Sequence, residues 1–295
     1  MTETEVPQSA GWRMKVSAFA LATAIFTVLW FLVAALGTKW GFWPWQVGLG
    51  QMTIGVGQML CFFAVAVALL AQVVSLYQAP RFRPFVIALA ATLIAAMALF
   101  RLAGFGSTAT SLPPIHDIQT DWSDPVEFSE SLLAARKAQG ETNPVLAEPM
   151  IPDGANERWP GMGGRFVSEV QEEAEQQEAG KSTVYPTLEP LYFDQNPVEI
   201  AALAERIVKR RGWDLVSEAT NVDTGQEIQI EATATSAMFG FKDDVAIRVR
   251  PVEGATRVDM RSVSRVGLSD LGANSKRVAG FMTELQDRGS GRRDP

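Results

Sequence analysis

The residues best suited to chemistry lie together in one stretch, 261–274, where a predicted strand leads through a glycine-containing loop into the last predicted helix. The start of a helix presents free backbone N–H groups and a partial positive charge, which favour anions. Two arginines beside it would complete a pocket for a carboxylate, a phosphate or a lipid headgroup. The predicted ligand-binding residues are Arg261, Ser264, Arg265, Asp270 and Asn274, with Ser262 and Ser269 beside them.

The same polar residues also have a structural interpretation, which the sequence leaves open. Asp270 would cap the last helix, and Asn274 would bind loop backbone. Arg265 would pair with an acid such as Asp243 or Asp244. These two aspartates are adjacent at the start of a strand, so their side chains face opposite ways. Joint binding of calcium, or joint acid–base catalysis, is therefore disfavoured.

His116 is the only histidine in the chain, and the one cysteine, Cys61, lies inside an apolar run. A lone histidine cannot supply a multi-histidine metal site, and the region after the apolar runs has no thiolate ligand. No metal site and no cofactor is therefore predicted. A hydrolase that uses His116 as its base remains an alternative, although the chain has no GxSxG nucleophile elbow.

Three long apolar runs occupy the N-terminal third, at residues 14–36, 47–76 and 84–105. Each is long enough to cross about 30 Å of hydrocarbon at about 1.5 Å per residue. No acidic residue occurs between Glu5 and Asp117. We therefore predict a three-helix membrane anchor over 14–105, with the lipid bilayer as its partner.

The basic residues give this anchor an orientation. With three spans, the N-terminus (residues 1–13) and the second loop share one side of the membrane, and the first loop carries only Lys39. The basic residues on the shared side are Arg13, Lys15, Arg81 and Arg83. The positive-inside rule then places the N-terminus in the cytoplasm and the C-terminal domain outside it, in the periplasm of a Gram-negative cell. Arg101 argues weakly the other way, but a single arginine can snorkel to the interface.

Composition changes sharply after the third apolar run. From residue 106 onward there are 31 acidic and 20 basic residues, a net charge of −11. Binding to nucleic acid needs a basic face, so nucleic acid is not an expected partner. The predicted organisation is a linker at 106–111, a domain at 112–287 that is loop-rich over 140–181, and a disordered tail at 288–295.

The pattern from residue 196 onward indicates an α+β domain. Asn196, Pro197 and Glu199 are typical of a helix start, and apolar residues then recur at helical spacing. A second helix is predicted over 271–286, and an earlier one over 128–137. Alternating apolar and polar residues predict about four antiparallel strands, at 213–219, 227–238, 245–250 and 256–264. Helices should cover one face of this sheet and leave the other face polar, giving a two-layer domain.

Several local motifs resemble a known family. They are the stretches 259–277, 239–245 and 113–121, together with Tyr185-Pro186 and Gly212-Trp213. Over about residues 112–287 the chain resembles the domain-of-unknown-function family numbered 1499. That family occurs in bacteria and plants and has no established activity, so the resemblance implies the domain's fold and boundaries and no mechanism.

We therefore expect a multi-pass inner-membrane protein of the cell envelope that is not an enzyme. Its periplasmic domain would bind an anionic small molecule, a lipid headgroup, or a membrane or periplasmic protein. One alternative is an envelope hydrolase that uses His116. Another is a structural subunit of an inner-membrane complex, with the spans as its interface.

Overall fold

A computed structural model describes residues 11–140, 142–178, 184–217 and 226–290. Parts of four predicted segments lie outside these residues: the N-terminus at 1–10, the loop-rich region at 141 and 179–181, the first predicted strand at 218–219, and the tail at 291–295. The chain divides into two compact units. The first consists of the apolar helices with residues 237–240, and the second begins at Thr108.

The first unit confirms three helices that are long and apolar enough to cross a membrane. They are α1 (Gly11–Lys39), a π-helical segment (Gln46–Val56) that continues into α2 (Gly57–Leu76), and α3 (Phe82–Ser111). Small side chains let the helices approach closely. The buried contact consists of Ala20, Ala24, Ala64, Ala68, Ala71, Ala88, Ala91 and Ala95.

The predicted linker at 106–111 is helical, because α3 continues through Ser111. The amide of Leu112 still donates to the carbonyl of Thr108 at 3.2 Å. Helical bonding therefore persists until Pro113, whose ring cannot continue a helix and which disfavours helical backbone in the residue before it. Glycines, serines and threonines in this stretch suggested turns, but the helix tolerates them.

The second unit is built on a six-stranded antiparallel sheet. Its strands are β1 (Asp117–Gln119), β2 (Leu191–Phe193), β3 (Asp214–Ser217), β4 (Ile228–Thr235), β5 (Lys242–Val252) and β6 (Ala255–Ser264). The spatial order is β1-β6-β5-β4-β3, and β2 also pairs with β6. Strands β3, β4, β5 and β6 correspond to the four predicted strands. The three-residue strands β1 and β2 were not predicted.

Its helices are α4 (Glu130–Lys137), α5 (Val167–Glu178), α6 (Pro197–Arg210) and α7 (Ala273–Gly289). A 3-10 helix (Asp153–Glu157) and α5 lie within the region predicted as loop-rich. Asn196 caps α6 as predicted, since its side chain accepts the amide of Glu199 at 2.9 Å. The α+β class is confirmed, and α7 continues into the predicted tail as far as Gly289.

One face of the sheet packs against α6 and α7 and forms the main core. Ile230, Ile247 and Met260 of the sheet are fully buried there with Ile207 of α6 and Phe281 of α7. A Cβ at Gly272, which precedes α7 with φ 77°, would overlap the side chain of Val184. Glycine is therefore needed where the chain turns into α7.

The opposite face of the sheet is polar, as expected, but it is not open to solvent. The covering segment, residues 121–140 and 142–146 with α4, lies over it. Val126, Phe128 and Leu132 of this segment form a small second core with Ala246 and Val263 of the sheet. Several charged side chains on this face, including those of Asp244, Asp259 and Arg261, are consequently buried.

Candidate functional site

The sheet separates the five predicted ligand-binding residues into two groups. Successive side chains on a strand point to opposite faces. Arg261 and Arg265 lie under the covering segment, whereas Ser262 and Ser264 face α7 and meet Asn274. Asp270 lies on the α7 side as well. The structure therefore does not gather the five residues into one pocket.

Arg261 is enclosed by its partners and is only 1% exposed. Its guanidinium binds both carboxylate oxygens of Asp117, with Nε–Oδ1 at 2.9 Å and Nη2–Oδ2 at 2.5 Å. It also donates to the carbonyls of Val126 at 3.0 Å and Leu146 at 2.6 Å. A bidentate pair of this kind fixes β1 against β6 and occupies the fork that an external anion would use.

Arg265 belongs to a cluster in which two arginines share one carboxylate. Asp244 is fully buried and accepts from Arg265 Nε at 2.8 Å and Nη2 at 2.7 Å. The same carboxylate accepts from Arg136 Nη1 at 2.6 Å and from the hydroxyl of Thr233 at 2.7 Å. We call these four residues the two-arginine cluster. It carries two positive charges and one negative charge.

The pKa of Arg136 reflects first its burial and then the charges around it. Burial lowers the pKa of Arg136. Attraction between its guanidinium and the carboxylate of Asp244 raises the pKa, and repulsion from the guanidinium of Arg265 lowers it further. A buried cation with only a share of a carboxylate is stabilised by any further negative charge that can approach it. The sequence pattern does not single out Arg136, because a basic residue in the last turn of the predicted helix 128–137 is usual at a helix C-terminus.

A cavity of about 330 Å³ adjoins the two-arginine cluster. The buried Arg136 forms part of its wall, the exposed Lys137 lies at its edge, and none of its lining residues in the described chain is acidic. The lining residues are Leu133, Arg136, Lys137, Gly140, Thr142, Asn143, Pro144 and Val145.

Asn143 fixes this cavity to the end of β6. Its amide N–H donates to the carbonyl of Arg265 at 2.7 Å. Its side chain donates to the carbonyls of Ser264 at 3.1 Å and Gly267 at 2.9 Å. The predicted residues Ser264 and Arg265 therefore support the cavity through their backbone.

The second polar group lies between β6 and α7 and is centred on Asn274. This side chain is fully buried and accepts from the hydroxyl of Ser262 at 2.7 Å. It donates to the carbonyl of His116 and to the hydroxyl of Ser264, both at 2.9 Å. Arg277 binds the same group and forms an ion pair with Asp243 at 2.5 Å. Asn274 thus satisfies loop backbone.

Asp270 caps α7 from the preceding loop. Its two oxygens accept the amides of Gly272 at 2.8 Å and Asn274 at 2.7 Å. The helix N-terminus is consequently occupied by the protein's own carboxylate. Removal from solvent raises the pKa of Asp270 from 3.8 to about 6, although the two amide bonds favour the charged form.

The raised pKa of Asp270 predicts a pH-dependent contribution to stability. The folded state binds this proton more tightly than the unfolded state, so the contribution is complete below pH 3.8 and is lost as pH rises through 6. We expect Asp270→Asn to remove this dependence. Relative to the wild type, the variant should gain about 2–3 kcal/mol of unfolding free energy between pH 4 and pH 7. Denaturant unfolding of the full-length protein in detergent, read by hydrogen exchange of peptides from 108–290, measures it.

His116 supplies the control, because its titration acts in the opposite direction. Burial lowers the pKa of His116, so its contribution is present above 6.5 and is lost as pH falls through the lowered value. Introducing His116→Gln into the wild type and into Asp270→Asn removes the pH dependence that His116 adds to the free energy of unfolding of each protein. The two proteins compared are then His116→Gln and the double variant His116→Gln with Asp270→Asn. If their free energies of unfolding depend on pH in the same way, the raised pKa of Asp270 is contradicted.

His116 itself is engaged with the loop before α7. Its Nδ1 lies 3.3 Å from the carbonyl oxygen of Leu268. The neighbouring carboxylate of Asp117 binds Arg261, and in the described part of the chain no serine hydroxyl bonds to the imidazole. The described residues also contain no group of three or more histidine, cysteine, aspartate or glutamate side chains placed to hold a metal ion.

Comparison with known proteins identifies the family. The model of a protein family of unknown function (DUF1499) matches residues 117–285, more than half of the chain. The chain belongs to the DUF1499 family. The match covers every strand of the sheet and most of α7, and it therefore contains both polar groups of this DUF1499 domain. No curated protein and no solved structure matches the chain.

Proposed function

We propose that this DUF1499 protein is a membrane-anchored binding protein of the cell envelope, and that its extracytoplasmic domain binds a small anion in the cavity beside Arg136 and Lys137. A free phosphate or carboxylate and the headgroup of an anionic lipid share the required chemistry. The observation that carries the proposal is the two-arginine cluster, in which one buried carboxylate serves two buried guanidinium groups.

Comparison with the other arginines of the domain supports this location. Several of them pair with carboxylates in balanced groups: Arg248, Arg250 and Arg257, for example, share Asp121, Asp124 and Asp259. Arg210, Arg211 and Arg288 share the single carboxylate of Glu284, but those arginines are partly exposed, whereas Arg136 and Arg265 are buried. Arg136 and Arg265 share Asp244 alone, and the exposed ammonium of Lys137 adds another positive charge. An anion at the cavity would offset this surplus through its charge and through a hydrogen bond from the ammonium of Lys137, because Nη1 and Nη2 of Arg136 already donate to Asp244 and to the carbonyl of Asn143.

A binding role fits the geometry better than hydrolysis does. A catalytic His116 would need a nucleophile within hydrogen-bond reach of the ring and a group to orient it. The observed partner of the ring is the Leu268 carbonyl, and Asp117 is taken up by Arg261. His116→Ala with unchanged function in cells would remove the hydrolase alternative, because the chain has no other imidazole.

The anion site is tested by thermal unfolding of the full-length protein in detergent. Inorganic phosphate, acetate and glycerophosphate are compared with chloride at equal ionic strength. At a ligand concentration of 100 times Kd, binding should add about 2.7 kcal/mol to the unfolding free energy and raise the midpoint by several degrees. We expect Lys137→Glu to abolish the rise, since it places a negative charge at the edge of the cavity.

Lys276→Glu is the matched control, because it makes the same charge change at an exposed position on α7. Phosphate also stabilises proteins without binding, by exclusion from their surface. An equal response of the wild type and both variants would therefore mean exclusion only, and would overturn the proposal. A glycerophosphate response without a phosphate response would identify a lipid headgroup as the ligand.

The extracytoplasmic location has a separate test. A reporter enzyme that is active only outside the cytoplasm, fused after Pro295, should be active in cells. Activity of a cytoplasm-only reporter at the same position would reverse the orientation and leave the anion site in the cytoplasm.

A further inference from the structure

The first unit contains an apolar cavity of about 580 Å³ that borders all three spans. Phe31 of α1, Leu49 of the π-helical segment, and Met97 and Ala98 of α3 line it, and Arg101 lies on its wall. In a membrane, an apolar volume of this kind excludes water and is filled by hydrocarbon. The identity of the occupant depends on the polar group beside it, Arg101.

The wall next to the cavity has an unusual backbone. Eleven residues, Gln46–Val56, form a π-helix, whereas π-helical geometry normally occurs as single-turn bulges that are frequent at functional sites. Trp30 donates from Nε1 to the carbonyl of Met52 at 2.8 Å, and Thr53 donates to the carbonyl of Gly48 at 2.8 Å. These bonds from side chains satisfy backbone carbonyls of the π-helical segment, and Thr53, which lines the cavity, has its hydroxyl engaged with Gly48.

Arg101 is a cation without an internal partner. It is exposed, and in the described part of the chain no carboxylate lies within ion-pair distance of it. The sequence has no acidic residue between Glu5 and Asp117, so the spans cannot supply one. At about 1.5 Å per residue, Arg101 lies about 24 Å along α3 from Phe85. In a hydrocarbon core of about 30 Å, its side chain can reach the phosphate layer.

We infer that the cavity binds one acyl chain of a phospholipid whose phosphate is held by Arg101. The guanidinium presents parallel N–H donors that match a phosphate, and it remains charged at this depth. The acyl chain fills the cavity between α1, the π-helical segment and α3. This site is independent of the anion site near Arg136, and it does not depend on which side of the membrane the C-terminal domain occupies.

Native mass spectrometry of the full-length protein released from detergent tests this inference. The wild type should retain one phospholipid. Arg101→Ala removes the phosphate contact and Ala98→Phe fills the cavity. Each should lower the retained fraction about tenfold or more: Arg101→Ala because a lost hydrogen bond to a charged group costs at least the roughly 1.4 kcal/mol that corresponds to tenfold, and Ala98→Phe because the ring occupies the volume of the acyl chain. Arg101→Lys keeps the charge and should retain an intermediate fraction.

Two controls separate a specific site from lipid that simply surrounds the helices. Ala96→Phe adds the same bulk to an exposed position of α3 outside the cavity, and Arg83→Ala removes a cation near the opposite end of that helix. Both should retain lipid at the level of the wild type. Equal loss in Ala96→Phe and Ala98→Phe, or full retention in Arg101→Ala, would overturn the inference. Ala98→Leu, a smaller change, replaces Ala98→Phe if the helices fail to fold.

Reconstitution distinguishes the lipid classes. The protein is transferred into vesicles of phosphatidylethanolamine with phosphatidylglycerol at one part in ten and is then re-extracted. Retention in proportion to the vesicle composition indicates recognition of the phosphate alone, and enrichment of phosphatidylglycerol indicates selection for net negative charge. If free inorganic phosphate, which has no acyl chain, releases the bound lipid, the cavity does not contribute to binding and its proposed role is contradicted.

Discussion

Replacing Arg261 with alanine is expected to lower the free energy of unfolding by about 3–5 kcal/mol, the cost of breaking a buried ion pair by removing one partner. The substitution leaves the carboxylate of Asp117, which is 1% exposed, without its bidentate partner. It also removes the donors to the carbonyls of Val126 and Leu146. Denaturant unfolding of the full-length protein, read by hydrogen exchange of β1 and β6, measures the loss.

Two further variants separate charge from packing in this prediction. Arg206→Ala truncates an exposed arginine on α6 and should change stability by no more than about 0.5 kcal/mol. The double variant Asp117→Asn with Arg261→Met removes both charges and should recover part of the loss, because neither charge remains unpaired. A loss below about 1 kcal/mol in Arg261→Ala would show that water or another group replaces the pair.

The second large effect is expected for Asp244→Asn. This change leaves Arg136 and Arg265 buried together with no carboxylate, so repulsion between them adds to the loss of their hydrogen bonds. We expect a loss of at least about 3–5 kcal/mol. Asp194→Asn, at an exposed position, is the control and should be near neutral.

The Asp244 variant also connects stability with the proposed anion site. Without the shared carboxylate, no described carboxylate forms an ion pair with Arg136 or Arg265, and Lys137 adds a third positive charge beside them. Saturating phosphate should then restore more stability to Asp244→Asn than it adds to the wild type, because the same ligand meets a larger surplus of charge. A smaller response in the variant would contradict the placement of the anion beside the two-arginine cluster.

The sequence predicted the features that depend on local pattern. Three apolar runs predicted the long helices, Asn196 predicted the start of α6, and strand alternation predicted that the sheet would have one polar face. Each follows from residues that are close together in the chain, where hydrophobic periodicity and capping chemistry are strongest. The three-residue strands β1 and β2 are too short to carry such a pattern.

The partners of the polar residues could not be predicted in the same way. Arg261 binds Asp117, which lies 144 residues earlier, and Arg136 reaches Asp244 from a short helix 108 residues away. The sequence suggested Asp243 or Asp244 for Arg265, but it gave no means to see that Arg136 shares the same acid. The polar face is covered by residues 121–140 and 142–146 through long-range packing, and this packing buries charges that the sequence pattern would leave exposed.

The arrangement of the sheet also limits how this domain can associate with other proteins. Its two long strands, β5 and β6, are central, and β6 is covered on its outer side by β1 and β2. The opposite edge is β3, whose four residues pair irregularly with β4 between Leu215 and Ser217. Short and irregular edges do not template the addition of another strand. Within the described residues, a protein partner would therefore have to recognise side chains on the surface of the domain, and two copies would not join by extending one continuous sheet.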